Sequence, residues 1–186
     1  METPIIVAVI SAIVALTAAA VSLLSARGNS SREAFELARR LYADLTSKET
    51  SAHRSALEFY RRKDPVTPAE TKQAMNDYFA LLWQFEQILA GRESLKGQER
   101  LNGTQKAVKF LDHMIKWHVE VWAKRWDEVR EKIQKDLPQI NTKDPILDDH
   151  HSVGTFCDLA DAVIPGNTAV WNLRTKLRTD PGGSAA

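Results

Sequence analysis

The spacing of apolar residues changes character once along this chain, at Arg27. From Pro4 to Ala26 no side chain is ionisable, and Ile, Val, Ala and Leu dominate. A run of about twenty-three such residues is long enough to cross a bilayer as a helix. Hydrocarbon offers no partner to backbone N–H or C=O groups, so a lone span must be helical. The start, Met1-Glu2-Thr3, lacks the basic region that opens a secretory signal peptide, so the run reads as an uncleaved anchor.

Beyond Arg27 the apolar positions recur at three and four, the period of a helix with one buried face. Gly28-Asn29-Ser30-Ser31 reads as a break, with Ser30 and Glu33 forming a capping box for a new helix. Ala34, Ala38, Leu41 and Leu45 give that helix its stripe, and Ala52, Ala56, Phe59 and Tyr60 continue it after a polar stretch from Thr46 to Thr50. Asp64-Pro65 ends the unit. Thr67-Pro68-Ala69-Glu70 is the clearest local signal: threonine caps, proline takes the first helical position, and glutamate closes the box. Met75, Tyr78, Leu82, Phe85 and Leu89 follow, and Gly91 is placed to end this helix. A polar stretch over 92–103 then leads to one long helix over about 104–135, striped by Val108, Leu111, Ile115, Val119, Trp122, Trp126, Val129 and Ile133. After Pro138, a loop from Asn141 to His151 precedes a short helix near Val153 to Val163. Asn167 or Thr168 caps a last helix carrying Val170, Trp171, Leu173 and Leu177.

These patterns predict an all-α protein: an N-terminal single transmembrane helix followed by a small bundle of three or four principal helices. The expected divisions are a short outside terminus (1–3), the anchor (4–26), a juxtamembrane hinge (27–31), a helical cytoplasmic domain (32–178) and a disordered tail (179–186). Orientation comes from the flanks. Arg27, Arg32, Arg39 and Arg40 follow the anchor while only Glu2 precedes it, which places the N-terminus outside and the domain in the cytoplasm at the cell membrane.

Charge and cysteine usage narrow the function classes. The chain has 25 Lys and Arg against 24 Asp and Glu, so no basic field marks it for nucleic acid. One cysteine, Cys157, excludes an intrachain disulfide and a cysteine-based metal site. His118-Val119-Glu120 is half of a zinc-deaminase signature, but its Pro-Cys-x-x-Cys half is absent. No nucleophile elbow, phosphate loop or dinucleotide fingerprint occurs, and no pattern asks for a cofactor. The sharpest cluster of ligand-type residues is Asp148, His150 and His151, whose carboxylate and imidazoles are divalent-metal donors. That run also reads as a solvated loop before a helix. His113 and His118, five apart, do not share a helix face, and His118 joins the apolar stripe. Five tryptophans, three of them on the long helix, serve as core or as a partner-binding surface.

The expectation is therefore a membrane-anchored helical binding or scaffold protein acting through protein–protein association, with a metal-binding or metal-dependent enzyme domain at Asp148–His151 as the alternative. Ala8, Ala12, Ala15, Ala19, Ser22 and Ala26 line one stripe of the anchor, where a second copy or another membrane protein's span can approach closely. Replacing Ala12, Ala15 and Ala19 with leucine is expected to lower anchor self-association in an in-membrane reporter assay; an unchanged signal would remove the stripe from the mechanism.

Overall fold

The structure, a computed structural model, describes residues 28–98, 104–140 and 147–179. The expected anchor (4–26), residues 99–103, residues 141–146 and residues 180–186 lie outside those residues. Among the described residues every regular element is helical, and no helix is long and apolar enough to cross a membrane. The elements are α1 (28–45), α2 (Lys48–Arg62), α3 (Pro68–Gly97), α4 (Gln105–Ala123), α5 (Trp126–Asp136), a 3₁₀ turn (Leu137–Gln139), α6 (His150–Val163) and α7 (Thr168–Thr179). They form a helical bundle around α3, which packs against α2 on one side and α6 on the other, with α4 and α5 also against it.

Several boundaries fall where local chemistry puts them. Thr67 accepts from the Glu70 N–H while the Glu70 side chain accepts from the Thr67 N–H, so the capping box is complete. The polar stretch after Leu45 does hold a break: Ser47 caps α2 by accepting from the Thr50 N–H. Asn167 accepts from the N–H groups of Ala169 and Val170 and opens α7.

Other boundaries differ from the sequence expectation, and tertiary contacts accompany the differences at Gly91 and at Lys124–Arg125. Residues 28–31, expected as a break with Ser30 as the cap, are helical. Gly91 does not end α3; the helix runs on to Gly97. Beyond Gly91, the Arg92 guanidinium binds both oxygens of Asp112 on α4 (2.7 and 3.0 Å), and Leu95 is fully buried. Thr104 then donates from its hydroxyl to the Leu95 carbonyl (2.6 Å), closing the turn into α4. The glycine serves close approach instead: a Cβ at Gly91 would lie 2.5 Å from Leu41 Cδ1 on α1. The helix expected over 104–135 is two helices, α4 and α5, parted at Lys124 and Arg125. No glycine or proline marks that bend. Ion pairs from α2 flank it, Glu58 to the Arg125 Nε (2.8 Å) and Arg61 to Glu128. The 150–151 pair, expected in a loop, forms the first turn of α6.

The core centres on Trp126. Its ring meets Tyr78 (5.1 Å, edge-on), Phe85 (6.3 Å), Phe156 (5.7 Å) and Trp122 (4.8 Å), so rings from α3, α4 and α6 converge on α5. Such tilted and edge-to-face contacts add about 0.5–1.5 kcal/mol each beyond the area they bury. Leu81, Leu82, Ile88, Ile115, Val153 and Leu159 complete an interior with no exposure to solvent.

Substituting Gly91 with leucine forces side-chain atoms into space held by Leu41. The expected outcome is a loss of about 1–3 kcal/mol in urea unfolding, despite leucine's better helix propensity. An increase in stability would mean that α1 does not seat on α3 at this point.

Candidate functional site

Three kinds of feature compete as functional sites: buried ionisable groups, the acidic-histidine run before α6, and the surface aromatics.

The most buried carboxylate among the described residues is Asp149, 1% exposed, at the residue before α6. Its carboxylate accepts from the Tyr78 hydroxyl (2.6 Å) and from the Arg130 Nε and Nη2 (2.8 and 3.1 Å). Both Tyr78 and Arg130 are themselves buried. Desolvation first, and then the neighbouring Asp149, pushes the Tyr78 hydroxyl well above the ordinary tyrosine range. The proton therefore stays on Tyr78, and the trio is a charge-neutralised clamp between α3, α5 and the start of α6. A second link of the same type joins α2 to α5, where the Tyr60 hydroxyl donates to Asp136 (2.7 Å) and the Lys132 ammonium lies over the Tyr60 ring. Both arrangements join helices through side chains that are buried or nearly so.

His118 is 8% exposed and receives an N–H from Arg54 at its Nδ1 (2.6 Å), with Trp117 and Tyr42 against its ring. Burial first, and the Arg54 charge second, lower its pKa to about 4. It is a neutral, satisfied histidine at pH 7, in keeping with its place on the apolar stripe. Cys157 is fully buried, and desolvation raises its thiol to about 11, which removes the thiolate needed for nucleophilic work.

The Asp148–His151 run does not converge. Asp148 is exposed, Asp149 turns inward to its clamp, and His151 reaches Glu86 on α3 (3.2 Å) from an exposed position. The His150 Nε2 is buried without a hydrogen-bond partner. Among the described residues no group of three or more His, Cys, Asp or Glu side chains is placed to hold a metal ion. Consecutive residues on a helix point about 100° apart, which is why this cluster disperses once α6 begins at His150.

The tryptophans divide. Trp122 and Trp126 are core, while Trp83, Trp117 and Trp171 are 58–67% exposed, as is Phe59 (66%). Exposed large aromatics of this kind are the commonest anchors of protein–protein contacts. Phe59 and Trp83 sit at opposite ends of the α2–α3 seam. At the Phe59 end a groove of about 130 Å³ is lined by Ala56, Phe59, Tyr60, Lys63, Gln73 and Ala74. At the Trp83 end a cleft of about 330 Å³ is lined by Asp44, Glu49, His53, Trp83, Gln84 and Gln87, among others. Between them the His53 Nδ1–H meets the buried Asp77 carboxylate (2.7 Å), which also accepts from Gln73. Sequence reading missed this seam: Trp83 lies off the apolar stripe of its helix, which is itself a signal, whereas Phe59, expected on a stripe with Ala52, Ala56 and Tyr60, is exposed. Of the juxtamembrane arginines, Arg32, Arg39 and Arg40 are exposed on α1, Arg39 paired with Glu36 (3.0 Å), and Arg27 lies outside the described residues. The small-residue stripe of the anchor lies outside them too. Comparison with protein-family models, with curated proteins and with solved structures gives no match to this chain.

The depressed His118 pKa fixes the sign of a pH effect. The folded protein keeps this imidazole neutral, whereas the unfolded chain protonates it near the ordinary value of about 6.5. Stability from this group is thus full above about 6.5 and is lost as pH falls toward 4. Urea unfolding of His118→Gln, which keeps an acceptor for Arg54, is expected to show a shallower stability loss over that window than the parent protein. Parallel pH profiles would contradict the neutral, buried state.

Proposed function

We propose that this chain is a membrane-anchored helical protein that works by binding other proteins at the bilayer. The observation that carries the reading is the pairing of an uncharged N-terminal run, Pro4 to Ala26, with a domain that leaves Phe59, Trp83, Trp117 and Trp171 exposed. The ionisable groups most deeply buried in that domain are committed to packing, which leaves its surface as the working part. The domain faces the cytoplasm, with the N-terminus outside, on the arginine asymmetry around the anchor.

The mechanism is tethering. Two domains confined to one membrane meet at an effective concentration far above their bulk value, in the millimolar range for short flexible linkage. Contacts made by a few aromatic side chains then suffice without a large interface. The partner is a second copy of this chain or another membrane protein, and nucleic acid has no place in the scheme.

Photo-crosslinking in cells tests this directly, with the crosslinker placed at Trp83, Trp117 or Trp171 of the full chain. Discrete crosslinked species are expected from at least one site, and they should disappear when residues 4–26 are deleted. Absence of any product from all three sites, or products unchanged by the deletion, would overturn the proposal.

A further inference from the structure

The cleft at the Trp83 end of the α2–α3 seam is lined by an exposed indole and by the carboxylates of Asp44 and Glu49. Its wall is one face of the α1–α2 corner. Ser47 and Thr50 build that corner and are used up by it: the Ser47 hydroxyl meets Thr50 Oγ1 (3.1 Å), and Thr50 Oγ1 donates to the Asp44 carbonyl (2.8 Å). Neither hydroxyl is left to act as a nucleophile toward His53, so an Asp77–His53–Ser47 hydrolytic reading fails.

What the corner leaves over is charge. Most carboxylates of the described residues sit in ion pairs, but Asp44 and Glu49, which both line this cleft, are in none of those pairs. Glu49 is in the first turn of α2, where an anion is favoured. Asp44 is in the last turn of α1, where the helix dipole disfavours one. No lysine or arginine lines the cleft. The Trp83 indole, 58% exposed, stands beside these carboxylates. His53, whose Nδ1 meets Asp77, also lines the cleft.

We infer that this cleft receives an arginine side chain of a partner polypeptide, an inference that rests on the protein acting by association. A guanidinium is flat enough to stack on the indole and carries several N–H groups for Asp44 and Glu49. Charge complementarity selects a cation, and a flat ring beside two carboxylates selects a planar guanidinium over a bare amine.

The test uses the full chain in non-ionic detergent, with the tryptophan indole N–H signals followed by NMR and the Trp83 signal identified through Trp83→Phe. The probes are N-acetyl-arginine methylamide and its neutral citrulline isostere. The arginine probe is expected to move the Trp83 signal saturably, the citrulline probe to leave it in place, and Asp44→Asn with Glu49→Gln to weaken arginine binding about tenfold. An unmoved Trp83 signal, or an equal response to citrulline or to the corresponding lysine probe, overturns the assignment. Failure here with crosslinks in cells intact removes the arginine cleft and leaves the association reading; lost crosslinks with the arginine response intact remove the association reading instead.

Discussion

The fold depends on keeping one carboxylate out of water. Asp149 is buried, and an unpaired charge in such surroundings costs several kcal/mol. Its two partners come from different helices, Tyr78 from α3 and Arg130 from α5, so the charge is satisfied only when both are in register. Asp149 is also the residue from which α6 springs, and its carbonyl accepts from the Val153 N–H (2.9 Å). One side chain thereby ties the start of α6 to α3 and to one turn of α5. Trp126 is one turn before Arg130 on α5, and the aromatic cluster forms around it as a consequence of the same register.

This constraint explains which parts of the fold are legible in the sequence. Local signals survive intact: the Thr67–Glu70 box and the Asn167 cap act within a few residues, and nothing tertiary competes with them. Gly91 misleads because a glycine after an apolar stripe has two physical uses, a left-handed cap or a close approach, and only the neighbouring Leu41 distinguishes them. Arg92 misleads in the same way. It reads as solvated until Asp112, twenty residues on, is seen to bind it. The bend at Lys124 and Arg125 leaves no trace in the apolar period, because Trp122 and Trp126 keep helical spacing across it and the ion pairs to α2 are non-local. Asp148, His150 and His151 look like a ligand set only while they are imagined in a loop. Helical geometry separates them, and the most ligand-like neighbour, Asp149, is spent on the core.

Two surfaces remain after the interior is accounted for. The aromatic residues on α2, α3, α4 and α7 that stay exposed are costly to leave in water, so their presence on an otherwise well-packed domain calls for a use. The proposed use is contact with partners at the membrane, helped by confinement. The acidic cleft beside Trp83 gives that proposed use a chemical direction, since it offers a flat ring and two carboxylates in one place. In the proposed scheme, confinement by the N-terminal run is what lets contacts of this size matter outside concentrated solution.

Fractionation of the full chain in cells therefore bears most directly on the tethering mechanism. After alkaline carbonate extraction the intact polypeptide, still carrying residues 1–26, should remain with the membrane pellet, and its domain should be digested by protease only when the cytoplasmic face is opened. Recovery of the protein in the aqueous supernatant, shortened by its first two dozen residues, would contradict it.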